Sequence, residues 1–197
     1  MFLAEKCTFR SLSVELADVF QKFNCSHPDL NDFFANDSIN YESQLLGKTY
    51  CFTLDESPDE IVCAFTVSND SVKLKNLPKS SQRKIKSKFP HPKHLSHYPA
   101  VLIGRLGVNH KFHGKGIGRE LMDFIKGWFS ASNNKTGCRF IVVDSYNESN
   151  PLSYYQKNDF RYFCSTEEIE KENRNLSPEE ALITRSLYFD LILLQTT

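Results

Sequence analysis

The sequence of 197 residues lacks any apolar stretch close to the roughly 20 residues that a membrane-spanning helix needs. Its N-terminus, MFLAEKCTFR, also lacks a basic segment followed by a long apolar run, so we read no signal peptide. The six cysteines are scattered, and no two have the CxxC spacing of a metal or redox motif. A disulfide between Cys51 and Cys63 across a hairpin is the alternative to the free thiols that we expect in a reducing compartment. We therefore expect a soluble, cytoplasmic protein without membrane contact or bound metal.

Acidic residues are missing from one long window, Ser71 to Arg119, although the whole chain has 24 Lys+Arg and 24 Asp+Glu. That window holds 12 of the 24 basic residues, so the zero net charge hides a segregated positive segment. Such a segment favours a polyanionic partner, either nucleic acid or a phosphate-rich cofactor. The alternative is a solvated helix and loop without a ligand.

The apolar pattern predicts alternating helices and strands. Helical spacing predicts helices at 11–24, from Pro28 onward, and at 80–88, 118–129 and 150–158. Apolar runs predict strands at 48–55, 60–68, 101–108, 139–144, 160–164 and 185–194, with a turn at SPDE between the first two. This order indicates an α/β protein in which helices flank a mixed sheet. We expect a single domain over 1–197, with a basic insertion at about 71–98 and a C-terminal elaboration at about 166–197 whose residues 166–178 form an acidic surface helix and loop.

The most informative motif lies between the strand at 101–108 and the helix at 118–129. Gly114, Gly116 and Gly118 stand at every second position there. Glycine lets the main chain approach a ligand closely, and the start of a helix offers N–H groups and a positive dipole end. The motif therefore predicts an anion site suited to a pyrophosphate.

Two other nucleotide-binding motifs do not fit this sequence. A P-loop needs GxxxxGK[ST], but Glu42 stands where Gly47-Lys48-Thr49 would need the earlier glycine. A dinucleotide-binding turn needs GxGxxG, and the glycines at 114–118 have a different interval. A glycine-rich turn without any ligand is the remaining alternative.

The glycine motif resembles the acyl-CoA signature of the GNAT family of N-acetyltransferases, [Arg/Gln]-x-x-Gly-x-[Gly/Ala]. The aligned residues are His113, Gly116 and Gly118: the two glycines match the signature, and His113 replaces the usual Arg or Gln. The resemblance implies the acyl-CoA N-acyltransferase fold, with a mixed, mostly antiparallel central sheet, and acetyl-CoA as cosubstrate without a metal. It implies cofactor contacts from the main chain of Leu106, Gly107 and Val108 to the pantetheine, and from His113, Gly114, Lys115, Gly116, Ile117 and Gly118 to the pyrophosphate.

A second match to the family lies at residues 152–160, LSYYQKNDF. The resemblance places Tyr155 near the acyl-CoA sulfur, as the acid that protonates the departing thiolate. Asp159 replaces the usual glycine and puts the turn geometry in question. The alternative for Tyr155 is an aromatic core residue at helical spacing.

The wider order of motifs is similar to a branch of the family that includes toxins acetylating the amino group of aminoacyl-tRNA. It runs from Phe23-Asn24-Cys25 and Leu30-Asn31-Asp32-Phe33-Phe34 through Gly47-Lys48-Thr49 and 104–108 to Val142-Val143-Asp144. The resemblance implies direct attack of a primary amine on acetyl-CoA in a ternary complex. The acceptor is a small molecule or aminoacyl-tRNA, and an antitoxin and a homodimer are candidate partners.

The general base is not identified by the sequence. No Glu occupies the strand at 101–108, where many relatives have one, and Asp144 and Glu148 are alternatives. Two other functions stay open: a non-catalytic acyl-CoA-binding regulatory module on the same fold, and a nucleic-acid-binding protein without chemistry.

Overall fold

The computed structural model describes residues 1–87, 89, 96–134 and 136–195. Within these ranges the α-helices are α1 (Phe2–Lys6), α2 (Val14–Phe20), α3 (Pro28–Asp32), α4 (Ser38–Ser43), α5 (Lys79–Lys86), α6 (Ile117–Ser130), α7 (Ser149–Lys157) and α8 (Glu167–Asn173). The strands are β1 (Cys7–Ser11), β2 (Lys48–Leu54), β3 (Ser57–Lys73), β4 (His97–Val108), β5 (Phe140–Tyr146), β6 (Arg161–Tyr162) and β7 (Thr184–Asp190). They form a seven-stranded, mostly antiparallel sheet in the order β1-β2-β3-β4-β5-β7-β6, which confirms the predicted α/β class. Residues 88 and 90–95 of the predicted basic insertion lie outside the described residues.

The chain divides into two compact units. Unit 1 comprises Met1–Asn69 and Ile103–Trp128, and unit 2 comprises Asp70–Leu102 and Phe129–Thr197. The expectation of one domain with two elaborations stays a prediction.

Helices cover both faces of the antiparallel β1-β2-β3 ladder in unit 1. Successive side chains of a strand point to opposite faces, so Cys51 lies opposite Tyr50. Cys51 joins the apolar core that Leu16 and Phe20 of α2 contribute to. On the other face Tyr50 packs against Trp128 of α6, with ring centroids 4.8 Å apart.

Two predictions in this region are right in kind, but their bounds are wrong. The helix predicted at 11–24 is confined to α2, because residues 7–11 pair with β2 as strand β1. The turn predicted at SPDE lies at Asp55–Glu56 instead, since Ser57 already pairs with Leu54. The adjacent Pro58 lacks an N–H group, and it is tolerated where the ladder is irregular, beside two register shifts at the end of β2.

The helical segment predicted from Pro28 runs through α3, a π-helical turn at Phe33–Asp37 and α4. It ends with Leu45 N–H donating to the Glu42 carbonyl and Leu46 N–H donating to the Tyr41 carbonyl, the bond pattern of a Schellman motif. Leu45 therefore occupies the left-handed position, with φ of 59°, and 90% of the residue is exposed. A branched side chain at this position strains the backbone without gaining burial.

Unit 2 is built on β5 and β7, which pair antiparallel from Phe140↔Asp190 to Tyr146↔Thr184. The strand predicted at 185–194 ends earlier, because Asp190 forms an ion pair with Arg139 (Nε–Oδ1 2.7 Å) and the chain continues as a 3₁₀ turn. The strand predicted at 160–164 is reduced to the two residues of β6.

The C-terminal elaboration was predicted to contain an acidic surface helix, but one acidic residue of that helix is buried. Helix α8 forms within the predicted acidic segment, but Glu170 is only 1% exposed. Its carboxylate accepts hydrogen bonds from Arg185 Nε and Arg174 Nη2, both at 2.6 Å, and from Ser186 N–H at 2.8 Å. A carboxylate tolerates burial when it is paired in this way, and composition alone does not reveal such partners.

The described residues contain no disulfide bond. The six cysteines all lie within these residues and are free thiols, and Cys63 lies opposite Phe52 rather than Cys51. In the same ranges no cluster of His, Cys, Asp and Glu is arranged to hold a metal ion. None of the helices described above is long and apolar enough to cross a bilayer.

We expect Leu45→Gly to stabilise the protein, because glycine adopts a φ of 59° without steric strain. The free energy of unfolding should rise by about 0.5–1 kcal/mol, measured by urea denaturation. Leu46→Gly is the matched control: Leu46 has no positive φ, so the same change should lower stability. A Leu45→Gly protein that is less stable than the parent would contradict this account.

Candidate functional site

The end of β4 is packed closely against the loop that follows α2. A Cβ atom added to Gly107 would lie 3.1 Å from both Cβ and Sγ of Cys25 and 3.3 Å from the Phe23 ring. Gly104, on the same strand, has far more room, since its added Cβ would meet only the Thr66 carbonyl oxygen at 4.0 Å. Gly107 thus allows the 23–25 loop to approach the strand.

The 23–25 loop is held by a network of amide side chains. Asn31 Oδ1 accepts hydrogen bonds from Cys25 N–H (2.9 Å) and Cys25 Sγ (3.2 Å). Asn31 Nδ2 donates to Asn24 Oδ1 at 3.0 Å. His110 N–H donates to the Asn24 carbonyl at 2.9 Å, which connects the network to the segment after β4. The motif residues at 24, 25 and 31 therefore support the strand end.

Asn109 fixes where β4 ends, although none of the sequence motifs described above includes it. The residue is 5% exposed. Its Nδ2 donates to the Ile61 carbonyl (2.9 Å), its main-chain N–H donates to the Val62 carbonyl (2.9 Å), and its Oδ1 accepts from Lys111 N–H (3.1 Å). The only local signal is an Asn directly after an apolar strand, which is typical of turns in general.

The glycine loop leads from this turn into α6. Gly114 and Gly116 have φ of 71° and 80°, the left-handed region that glycine adopts readily. A Cβ at either position would meet nothing within 4 Å, so the requirement for glycine is conformational, and the space beside the backbone is open. The Gly116 carbonyl accepts hydrogen bonds from the N–H groups of Arg119 and Glu120, which makes Gly116 the residue from which the 14-residue helix α6 starts.

Two side chains of the loop that are candidates for phosphate contact, His113 and Lys115, are both exposed. His113 Nε2 donates to the Val108 carbonyl at 2.7 Å, so the imidazole connects the loop to the last residue of β4. Lys115 Nζ lies 5.3 Å from the centre of the Phe112 ring. Unit 1 thus brings together all the predicted cofactor residues from Leu106 to Gly118 around one strand-to-helix turn.

Tyr155 lies in unit 2, on α7. It is partly buried, and its ring centroid is 5.1 Å from that of Tyr154 and 5.3 Å from that of Phe160. Desolvation raises the pKa of the Tyr155 phenol well above its ordinary value. The hydroxyl therefore stays protonated through neutral pH.

Asp159 stands where the family has glycine, and the turn at the end of α7 still forms. It has φ of 63° at the end of α7. Asp159 N–H donates to the Gln156 carbonyl and Phe160 N–H donates to the Tyr155 carbonyl, which again is a Schellman motif. Asp tolerates this conformation better than most residues, so the turn forms without glycine.

The two candidate bases have different surroundings in unit 2. Asp144 Oδ1 accepts a hydrogen bond from Ser186 Oγ and lies 3.7 Å from Arg174 Nη2. Glu148 occupies the N-cap position of α7, and its side chain makes no capping hydrogen bond.

Comparison with known proteins identifies the domain. Residues 88–162 match the family model of the acetyltransferase (GNAT) domain. This segment, which is less than half of the chain, is similar to a GNAT acetyltransferase domain. This match confirms the predicted family and the predicted enzyme class.

Solved structures share the fold over nearly the whole chain. A tyrosine-to-phenylalanine mutant of KacT is 15% identical with a TM-score of 0.71, covering 98% of this chain and 99% of that one. AtaT complexed with acetyl-methionyl-tRNAfMet is 18% identical with a TM-score of 0.69, covering 97% and 99%. A tyrosine-to-phenylalanine mutant of the AtaT toxin, bound to the C-terminus of the antitoxin AtaR and acetyl-CoA, is 16% identical with a TM-score of 0.66, covering 98% and 100%. No curated protein matches the sequence.

The close approach at Gly107 can be tested with a pair of glycine substitutions on β4. Gly107→Ala should lower the free energy of unfolding by about 1–3 kcal/mol, because the new methyl group overpacks the contact with Cys25 and Phe23. Gly104→Ala, where the methyl group has room, should have a much smaller effect. Thermal and urea unfolding of the two variants measure the difference, and equal effects would rule out the packing role of Gly107.

Proposed function

We propose that the protein transfers the acetyl group of acetyl-CoA to the amino group of aminoacyl-tRNA. The observation that carries this proposal is the turn in which the left-handed residues Gly114 and Gly116 precede the start of α6. A helix start that follows two such glycines is suited to bind the pyrophosphate of the cofactor.

The residues around this turn fit acetyl-CoA. Open space lies where Cβ atoms at Gly114 and Gly116 would stand, so phosphate oxygens can approach the main chain there. We assign the amides of Gly114 to Gly118 to the pyrophosphate, with Lys115 and His113 beside it. The main chain of Leu106, Gly107 and Val108 is assigned to the pantetheine arm.

Acetyl-CoA supplies an activated thioester. In the transfer, the amine nitrogen forms a bond to the carbonyl carbon, the carbon–sulfur bond breaks, and the amine loses a proton while the sulfur gains one. Tyr155 is assigned as the donor of the proton to sulfur, since its phenol is protonated at neutral pH and has a proton to give. Main-chain N–H groups at the end of β4 are assigned to the developing oxyanion.

The acceptor must offer a neutral amine. The β4 segment from Ile103 to Val108 contains no Glu that would take up a proton. The contacts of Asp144 with Ser186 and Arg174 suit an orienting role better than proton uptake. The α-amine of an aminoacyl ester is less basic than a lysine side chain, so more of it reaches the enzyme without its proton.

The charge of the insertion supports an RNA acceptor. Six cationic side chains between 73 and 86 are exposed, and none of them has an ion-pair partner among the described residues: Lys73, Lys75, Lys79, Arg83, Lys84 and Lys86. Unpaired cations of this kind attract a phosphate backbone. The similar AtaT structure contains acetyl-methionyl-tRNAfMet, and the one with AtaR makes an antitoxin a candidate partner here too.

The acceptor can be identified by transfer of labelled acetyl from acetyl-CoA. We expect label on a pool of charged tRNA and none on the same pool after deacylation. Label on small amines alone would contradict the RNA acceptor and retain the enzyme. Binding of acetyl-CoA without label on any amine would replace the proposal with a non-catalytic acyl-CoA-binding module.

The role of Tyr155 can be tested by removing its hydroxyl. Tyr155→Phe should lower kcat by about a hundredfold or more while the Kd for acetyl-CoA stays nearly unchanged, since the phenol acts on the departing thiolate. Because the pKa of Tyr155 is raised, the loss should persist from pH 6 to pH 9. Tyr154→Phe, which removes the neighbouring hydroxyl, is the matched control and should retain activity. Full activity in Tyr155→Phe would remove this residue from the mechanism.

A further inference from the structure

Unit 2 contains an open cavity of about 680 Å³. Its lining comes from the start of the insertion (70–77), from α8 and the residues after it (170–175), and from the sheet. The two segments that the resemblance leaves without a role, the insertion and the C-terminal elaboration, thus line one cavity.

These two segments are fastened to each other and to the sheet. Asn173 Nδ2 donates to the Asn76 carbonyl at 2.6 Å, and Ser81 Oγ donates to the Phe163 carbonyl. The buried Glu170 carboxylate holds Arg174, whose Nη1 also donates to Thr184 Oγ1 at 3.1 Å. The walls of the cavity are therefore ordered by specific bonds.

The charges in the lining divide into a paired set and an unpaired set. Glu170 and Asp144 both face Arg174, and Glu170 is also paired with Arg185. Lys73 and Lys75 are exposed and have no ion-pair partner among the described residues. The remaining charge is Asp70, whose carboxylate accepts a hydrogen bond from Ser71 N–H.

The lining as a whole is balanced, with three cations (Lys73, Lys75 and Arg174) against three carboxylates (Asp70, Asp144 and Glu170). Because Arg174 holds two of these carboxylates, the set without ion pairs consists of two lysines and one aspartate and is positive. More positive charge follows along the chain. Helix α5, which follows directly along the chain, adds four more exposed cations: Lys79, Arg83, Lys84 and Lys86. A small cationic amine is disfavoured in such surroundings, whereas a phosphate group is favoured.

The uncharged part of the lining suits a base. Val72, Val142 and Phe163 are buried apolar residues of the lining, and Asn76 and Asn173 add amide groups. Single-stranded nucleotides are bound by apolar or aromatic surfaces against the base, hydrogen bonds to its edge and cations at the phosphate. All three kinds of group are present in this cavity.

We infer that this cavity binds one nucleotide of the RNA acceptor, with Lys73 and Lys75 at its phosphate and the amide side chains at its base. The inference rests on the proposed function, because it names the place where the RNA is recognised. The exposed cations between 73 and 86 would attract RNA at many positions, whereas this cavity would bind one nucleotide at a defined place. The insertion and the C-terminal elaboration would then share a role.

The test compares two pairs of unpaired lysines in the full chain. Binding of fluorescently labelled, uncharged tRNA is measured by anisotropy between 50 and 200 mM salt, without acetyl-CoA. Lys73→Ala/Lys75→Ala should weaken binding by about tenfold or more at the lower salt concentration and reduce the salt-dependence slope by about two. Lys84→Ala/Lys86→Ala, which removes the same charge outside the cavity, should weaken binding by less than about threefold.

A second measurement locates the RNA directly. Crosslinking of tRNA that carries photoreactive nucleotides, followed by peptide mapping, should identify peptides from 70–77 and 163–175. Equal losses for the two lysine pairs, crosslinks confined to α5, or a parent protein that does not bind tRNA would each overturn the inference.

The outcome is separable from that of the proposed function. Both double variants should bind acetyl-CoA as the parent protein does, since the substituted lysines lie outside the glycine turn. Transfer of acetyl to charged tRNA with unchanged tRNA affinity in Lys73→Ala/Lys75→Ala would overturn the nucleotide site and retain the acetyltransferase. If instead the parent protein transfers no acetyl group to charged tRNA but the lysine effects on tRNA binding are as predicted, the acetyltransferase proposal is overturned and the nucleotide site is retained.

Discussion

The buried amide of Asn109 is the contact on which the geometry of the glycine turn before α6 depends. Through one side chain and one main-chain N–H it makes hydrogen bonds to Ile61, Val62 and Lys111. Buried polar groups of this kind are costly when left unpaired, so the end of β4 has little freedom to shift along β3. A 3₁₀ turn at His110–Phe112, the His113 contact and the left-handed glycines all follow within nine residues of this point. A side chain that never needs to touch the cofactor thereby determines where α6 starts.

In unit 2 the buried carboxylate of Glu170 has the same kind of role as Asn109 in unit 1, because its hydrogen bonds hold neighbouring segments in place. Its carboxylate receives two guanidinium groups and the Ser186 N–H, and it is almost completely buried. Removing one partner of such a network leaves an uncompensated charge, at a cost of about 3–5 kcal/mol. Helix α8 is therefore an integral part of the unit. The same network orients Arg174 toward Asp144, so the carboxylate that sequence reasoning offered as a base is held by contacts that only the folded unit supplies.

The sequence predicts those features whose signals are local. A continuous apolar strand, three alternate glycines and a helix with 3.6-residue spacing lie within thirty residues, and the structure has β4, the left-handed turn and α6 close to their expected positions. Features that depend on distant partners escape such reasoning. Asn109 is bonded to a carbonyl 48 residues away, and β1 is a strand because it pairs with β2 across more than thirty residues. Acidic composition likewise predicted exposure for Glu170, whose burial depends on Arg174 and Arg185.

Two residues depart from the family pattern, and they show that a changed residue type in a motif is weak evidence for loss of function. His113 replaces Arg or Gln, yet its imidazole connects the loop to the Val108 carbonyl, which preserves the path of the main chain. Asp159 replaces glycine, yet it adopts the left-handed conformation and completes the hydrogen bonds that end α7 just after Tyr155. In the site that we propose, main-chain amides bind the cofactor, so the backbone conformation is the property that must persist. Both substitutions retain it, and this favours a catalytic domain over a non-catalytic module on the same fold.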